Sequence, residues 1–470
     1  MQESGEKKVN IMYQKYRKLL TGTSLPKGQN ITLVELGDLV QHFDEFLESL
    51  EESQLEKENA IISNLTELIV DFGSVPKFDH FEDRDYDSQD FPYIAENAVK
   101  CFECLKVMLP KIIQLNNSGR CHFLIRVLIL CGTHNKQYFW SSKDSISACK
   151  DFQNELLKYL KYKDLHSLLC DDAFYPTIFK GILKTMRPSL LKETWMRNPS
   201  CCFVFFWILS NVKHPHLVDY IQDIFPPPFM FTSYYAIPQK VIGIRCFDHI
   251  LDNIPPSLLK LDGKEDVIYH VLKPITYSRE LPVIEVVFPC ILKLPMMRQQ
   301  KLNNAGWGEY DEVLLRLLLN VYLENNVKLR SVYLNHIISY IEIVPPFKHL
   351  KRILSVTDRH LSISDDAEEL NQIACLNILK SVIRSCWPRM ENHCLEILIS
   401  ILKLIYDLEA KREAMKKEVC DEMYNLCKEC VCLLKNACST KFQDIVTDYI
   451  QEENGLPGVE LIKAVMAKDS

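Results

Sequence analysis

Residues 313–341 read VLLRLLLNVYLENNVKLRSVYLNHIISYI, and this stretch decides the fold class. Val313, Leu314, Leu317, Leu318 and Val321 recur at helical spacing and make one apolar stripe. Leu329, Val332, Tyr333, His336, Ile337, Tyr340 and Ile341 make a second. Between them Glu324, Asn325 and Asn326 supply side chains suited to a tight turn. The spacing predicts an αα-hairpin of about 35 residues.

The pattern continues downstream. Ser364 has the chemistry of an N-cap, and Asp365, Asp366, Glu368 and Glu369 place negative charge at the positive end of a helix. That helix carries Leu379, Val382, Ile383 and Cys386, and Pro388 is placed to start the next one. Cys394 to Ile405 is apolar nearly all round, which predicts burial between neighbours, and a long charged helix is predicted from about Ala410 to Lys435. Pro110, Pro176, Pro188, Pro199, Pro226 to Pro228, Pro255, Pro256, Pro345 and Pro346 punctuate the chain, each expected to stop a helix or open one. Period-two alternation is almost absent. Helix pairs at intervals of about 35–50 residues, without a strict motif, predict an all-α chain: an α-solenoid of degenerate HEAT or armadillo-like repeats. The expected organisation is N-terminal helical repeats over 1–76, an exposed acidic loop over 77–90, and a solenoid over 91–470. Residues 224–238, IFPPPFMFTSYYAIP, read as a further irregular stretch. Its aromatics could anchor a partner or pack on their own solenoid.

The composition narrows the function classes. The 470 residues are 47% hydrophobic and 25% charged, as in a globular protein, and only 14 are glycine, which leaves little material for phosphate-cradling loops. The net charge of −7 gives no general attraction to nucleic acid or anionic membrane. The basic patch at Lys15 to Lys18 lacks the aromatic platforms of a nucleic-acid binder and reads as a solvated helix face. Residues 1–20 lack an apolar signal core and the longest apolar run, Cys201 to Leu209, is short for a membrane span, so a cytoplasmic and nuclear location is expected. In a reducing compartment the 18 cysteines act as small core residues, and the sequons at Asn30, Asn64 and Asn116 carry no weight.

No motif announces chemistry. Gly263-Lys264 is followed by Glu265 and lacks the first glycine of a phosphate loop, Leu258 standing there. Asp83, Asp85 and Asp87 imitate a calcium loop, but Ser88 replaces its glycine and Ile94 its bidentate glutamate. Cys101/Cys104 and Cys427/Cys430 form two CxxC pairs more than 300 residues apart, inside helical patterns, where a spacing of three merely places two small residues on one face. His214 and His216 read as loop residues; His249 and His336 read as core or groove residues. The expectation is no enzyme, no cofactor and no metal.

Four stretches then stand out together: Arg187-Pro-Ser-Leu-Leu-Lys-Glu-Thr-Trp195 running on to Asn198-Pro199; Ile242-Gly-Ile-Arg-Cys-Phe-Asp-His-Ile250 running on to Asn253-Ile-Pro255; Asp311-Glu-Val-Leu314; and Trp387-Pro-Arg389 followed by Leu402-Lys-Leu-Ile-Tyr-Asp407. In order and spacing they resemble the Tel-two-interacting protein 2 family, over about residues 178–435. The resemblance implies a HEAT-like solenoid acting as an adaptor in the Triple T complex with Tel-two and Tel-two-interacting protein 1. That complex works with heat-shock protein 90 and its R-two-T-P partner on phosphatidylinositol 3-kinase-related kinases of the TOR, ATM and ATR classes. A nuclear-transport or trafficking solenoid is the alternative, although the regular asparagine or tryptophan ladder of such receptors is not seen. Read as structure, Trp195 and Trp387 should fill gaps between helices. Pro188, Pro199 and Pro388 should set helix starts, Gly243 should allow close packing, and Asn253 with Pro255 should close a helix. Arg245, Asp248 and His249 share one helical turn, where Arg245 and Asp248 can pair. With Trp387 and Arg389 they are the candidates for partner contact or internal bracing.

Overall fold

The computed structural model describes residues 55–78, 86–112, 115–297, 308–343, 345–363, 365, 368–411, 415–451 and 458–467. The N-terminal repeats expected before residue 55, the basic patch at Lys15 to Lys18, Asp83, Asp85, Ser364 and Asp366 lie outside them. Among the described residues every regular element is helical, and the chain is an α-solenoid of helical repeats. It forms two compact units, meeting in sequence at Leu259 and Lys260.

The first unit contains α1 (Leu55–Gly73), α2 (Ile94–Ile112), α3 (Asn117–His134), α4 (Lys143–Leu160), α5 (Ile178–Met186), α6 (Cys201–Ser210), α7 (Pro226–Ser233) and α8 (Ile237–Asn253). Helix α2 packs on α1 and α4, α3 on α1, α5 and α6, and α8 on α6 and α7. Side-chain caps set several starts. Asn116 accepts from the Gly119 N–H at 2.8 Å, and Ser142 and Ser145 form a reciprocal box before α4. At the end of the predicted acidic loop, Asp87 caps the short turn Ser88–Asp90.

The second unit contains α9 (Lys264–Ile275), α10 (Leu281–Met297), α11 (Glu309–Leu323), α12 (Val327–Ile343), α13 (Leu350–Leu361), α14 (Glu369–Ser385), α15 (Cys394–Ala410), α16 (Lys417–Ala437), α17 (Ser439–Gln451) and α18 (Val459–Met466). Two layers alternate along the chain. Helices α10, α12, α14 and α16 pack in succession; α11, α13, α15 and α17 lie side by side in the other layer. The decisive hairpin is α11 and α12. Its first stripe is buried throughout, its second is buried apart from half-buried Val332 and His336, and residues 324–326 form the turn. Asn326 Oδ1 accepts from the Lys328 N–H at 3.0 Å and opens α12.

Several local expectations are corrected. Residues 224–238 are irregular only at 225 and 234–236, because three prolines at 226–228 begin α7, where a missing N–H costs nothing. Pro110 lies inside the last turn of α2 rather than ending it. Pro388 opens a short 3-10 turn, Trp387–Asn392, and the following helix starts only at Cys394. That helix runs to Ala410, so the charged helix starts later than expected, at Lys417. Helix α14 starts at Glu369, with Glu368 in the capping position. Helix α15 is not buried all round: Leu395 is 51% exposed, Ile399 42% and Tyr406 58%, a stripe facing solvent. Its sequence is apolar on both sides, and among the described residues one side is left exposed.

Candidate functional site

The first unit holds two of the four motifs, and the first of them lines a cavity. Trp195 is buried, with its ring 5.4 Å from Phe231 and 5.0 Å from Tyr234. It fills a gap between helices as expected. With Asn198 and Pro199, Trp195 and the aromatics of the 234–238 segment line a cavity of about 290 Å³ whose far wall includes Trp140 and Phe203. The 224–238 aromatics therefore divide. Phe231 is buried and Phe229 packs on Phe247 with ring centres 4.8 Å apart, whereas Tyr235 is half exposed at the cavity rim.

Gly243 sits where α8 crosses α7. A Cβ there would lie 2.7 Å from both the Thr232 nitrogen and its Cγ2, and 2.9 Å from the Pro228 oxygen. Asn253 closes α8: its Nδ2 donates to the His249 carbonyl at 2.9 Å and its Oδ1 accepts from the His214 N–H at 3.3 Å. One turn earlier, His249 is half-buried and its Nε2 lies 2.8 Å from the Val212 carbonyl, a bracing contact. Arg245 is exposed and Asp248 half-buried on the same turn.

In the second unit the remaining motifs turn out to be clamps and surface. Asp311 accepts from the Gly308 N–H at 3.2 Å, from Lys348 at 3.0 Å and from His349 Nε2 at 3.1 Å. Burial works against its charge, but these donors outweigh it and hold its carboxyl below the usual range. Glu312 is held low mainly by its ion pair with Lys273, and it also accepts from Tyr269 at 3.2 Å. The two acids thus tie α11 to α9 and to the start of α13. Trp387, expected to fill a gap, is instead 61% exposed. Arg389 braces: its Nη1 donates to the Phe347 carbonyl at 3.0 Å and its guanidinium lies 4.9 Å from the centre of the Phe347 ring. The sequence reading missed Arg330 and Glu368, a buried ion pair in which Arg330 also donates to the Glu324 carbonyl at 2.9 Å. A lone arginine inside an apolar stripe was its only signal.

Most cysteines and several histidines behave as core. All cysteines are free thiols, and all but Cys121, Cys420 and Cys432 are buried. Burial raises the Cys104 and Cys430 thiols to about 12, away from the reactive thiolate. Cys101 spends its Sγ–H on the Ile69 carbonyl at 3.1 Å. Among the described residues no group of three or more His, Cys, Asp or Glu side chains is placed to hold a metal ion, and no helix is long and apolar enough to cross a membrane.

Burial lowers His134, His336 and His360 to about 4. Once unfolded, each takes up a proton near pH 6.5, so between 6.5 and 4 the unfolded chain binds more protons and stability falls with pH. Each fully buried imidazole is expected to cost about 2 kcal/mol at pH 5 relative to pH 7. A urea midpoint unchanged between pH 7 and pH 5 would contradict this.

No protein-family model matches the chain. TELO2-interacting protein 2 of Mus musculus is 26% identical over 442 residues, covering 86% of this chain and 85% of its own length. TELO2-interacting protein 2 of Rattus norvegicus is 27% identical, covering 71% and 70%. The Homo sapiens protein of that name is 26% identical, covering 72% and 70%. Among solved structures, that of a Kap95:Nup1 complex matches 92% of this chain at 12% identity with a TM-score of 0.51, and the chain spans about half (51%) of that one. This second likeness concerns the fold alone. Over most of their lengths three relatives of one name agree with this chain at 26–27% identity, so the chain is similar to TELO2-interacting protein 2.

Proposed function

We propose that the chain is a non-catalytic adaptor subunit of the Triple T co-chaperone complex, present in cytoplasm and nucleus. It binds Tel-two and Tel-two-interacting protein 1 and supports heat-shock protein 90-dependent maturation of phosphatidylinositol 3-kinase-related kinases of the TOR, ATM and ATR classes. The observation that carries the reading is this similarity: three relatives bear one name, and that name states an interaction with TELO2. The architecture is compatible with it. A stack of helix pairs offers extended surface without chemistry, because each repeat needs only its neighbours for stability. The exposed side of α15 lies inside the C-terminal repeats, about residues 364–434, where docking of a larger subunit is expected.

An adaptor acts by keeping its partners folded and assembled, so its loss lowers their abundance. After rapid depletion, the co-subunits are expected to decline first. Several of the kinases should then fall together at unchanged messenger RNA, newly made kinase most of all. Pulse-labelling after depletion checks this. Normal maturation of new kinase with persistent co-subunits defeats the reading, and cargo mislocalised at normal abundance favours a transport receptor instead.

A further inference from the structure

Three arginines of the second unit stack on exposed aromatics of a preceding repeat. Arg316 of α11 lies 3.6 Å from the ring centre of Tyr277, just after α9. Arg359 of α13 lies 4.5 Å from that of Tyr322 on α11. Arg389, before α15, lies 4.9 Å from that of Phe347, before α13. The partners are separated by 39, 37 and 42 residues, about one helix pair each time. Each stack thus joins one repeat to the next, and together they form a ladder of three rungs, the second at the end of α13 and the third before its start. Stacking holds a guanidinium flat against the protein; Arg316 also donates to the Tyr277 hydroxyl and Arg389 to the Phe347 carbonyl, which leaves their remaining N–H groups, and the edge of Arg359, for carboxylates.

The ladder marks one side of the α11–α13–α15 layer, since the opposite side of each helix is packed on α12, α14 or α16. That side has an ordered composition. Leu319 and Leu323 are exposed on α11, and Leu395 and Ile399 on α15. Between them α13 presents Lys351, Arg352 and Arg359, all exposed. Of the acids on this side, Glu312 is paired with Lys273, Asp358 accepts from Ser400 Oγ at 2.6 Å and Glu396 lies 3.2 Å from His393. Glu391 lies just before α15 and Glu409 near its end. A chain of net charge −7 thus carries a basic strip between two apolar ones.

We propose that this face docks an acidic helix of a partner protein. The inference deepens the adaptor reading, and rests on it in taking the helix from a partner subunit. Neighbouring helices of a layer lie about 8–10 Å apart, so the two apolar strips are about 20 Å apart. A helix rises 1.5 Å per residue, so about 13 residues, or nearly four turns, bridge them. The docked helix has apolar side chains at both ends, seated on α11 and α15, and aspartates or glutamates in the middle, over α13. The apolar ends supply burial and the arginines supply orientation and charge selection.

The test uses the full chain with a photo-crosslinking amino acid at exposed Ser355, expressed among its native partners, with the crosslinked peptide sequenced. The expected capture is a partner segment with at least three central acids flanked by apolar residues about 13 apart. A synthetic peptide of that segment is then titrated into the purified chain. The double variant Arg352→Glu/Arg359→Glu should weaken binding about 100-fold and flatten its salt dependence. Leu395→Ser/Ile399→Ser should weaken it about 10-fold and leave the salt dependence unchanged. Replacing the central acids of the peptide by lysine should restore binding to the arginine variant. Circular dichroism confirms that these surface variants stay folded. A neutral or basic captured segment, a second copy of this chain, residues 1–54 of this chain, or no crosslink at all overturns the proposal, as does unchanged affinity in either variant. Co-subunits that co-purify while the face captures nothing defeat this inference alone; an acidic helix captured without any co-subunit defeats the adaptor reading and leaves the face standing.

Discussion

Replacing Arg330 by methionine is expected to destabilise the second unit by about 3–5 kcal/mol, because it leaves the Glu368 carboxylate buried without its cation. Arg330 sits on the first turn of α12, and its guanidinium reaches two neighbours at once. It pairs with Glu368 at the start of α14, and it donates through Nε and Nη2 to the Glu324 carbonyl at 3.2 and 2.9 Å, beyond the end of α11. The other Glu368 oxygen accepts from Asn371 Nδ2 at 2.6 Å. Both charged side chains are under one-tenth exposed, 9% and 6%. Removing one partner therefore removes a bond and also strands a charge, and the second term is the larger. Lysine is not an adequate substitute, since a single ammonium cannot span carboxylate and carbonyl with the same fork. The double variant Arg330→Met/Glu368→Leu should recover much of the loss, because no ion is then left in the interior. Urea unfolding followed by far-UV circular dichroism checks both. A single variant within about 1 kcal/mol of native, or a double variant no better than the single, contradicts the account.

The same pair shows where sequence reading reaches its limit. The stripes of α11 and α12 were legible because their apolar residues recur at one period and each helix has one buried side. Glu368 was legible as an acid suited to a helix start, but not as the partner of an arginine 38 residues earlier, since that contact depends on how two repeats stack. The apolar run at Cys394 to Ile405 was read as buried on all sides. Periodicity reports which residues are apolar; it cannot report whether a neighbour is present, and Leu395 and Ile399 face solvent. Trp387 misled for the same reason, and Trp195 did not, because rings on α7 and beyond it come to meet it. Three consecutive prolines open a helix, as a stop-or-start reading of them allows, because they sit in a first helical turn where no N–H is needed. The arginine ladder left no local signal: each rung joins residues about 40 positions apart, so only the stacking of the repeats makes it one feature.

Replacing Gly243 by alanine is expected to destabilise the first unit by about 2 kcal/mol, and by valine more. Two effects oppose each other here. Alanine is the better helix former by about 1 kcal/mol, so in an open position the substitution would stabilise α8. Against this, the added Cβ would sit 2.7 Å from the Thr232 nitrogen and 2.9 Å from the Pro228 oxygen. These are backbone atoms of α7, so no side-chain rotation relieves the contact. The Thr232 Cγ2 at 2.7 Å gives no room either, since Thr232 is buried with its hydroxyl on the Pro228 carbonyl at 3.0 Å. The two helices must separate, and separation loosens Phe229 and Phe231, which pack α7 onto Phe247 and Trp195. Steric cost therefore exceeds the propensity gain. Because Trp195 lines the aromatic cavity, its fluorescence in the native state should shift at Gly243→Ala before global unfolding. A Gly243→Ala chain that matches or exceeds native stability in urea, with an unchanged Trp195 spectrum, would mean that α8 and α7 have slack at this crossing. The glycine of the second motif would then owe its place to something other than close packing.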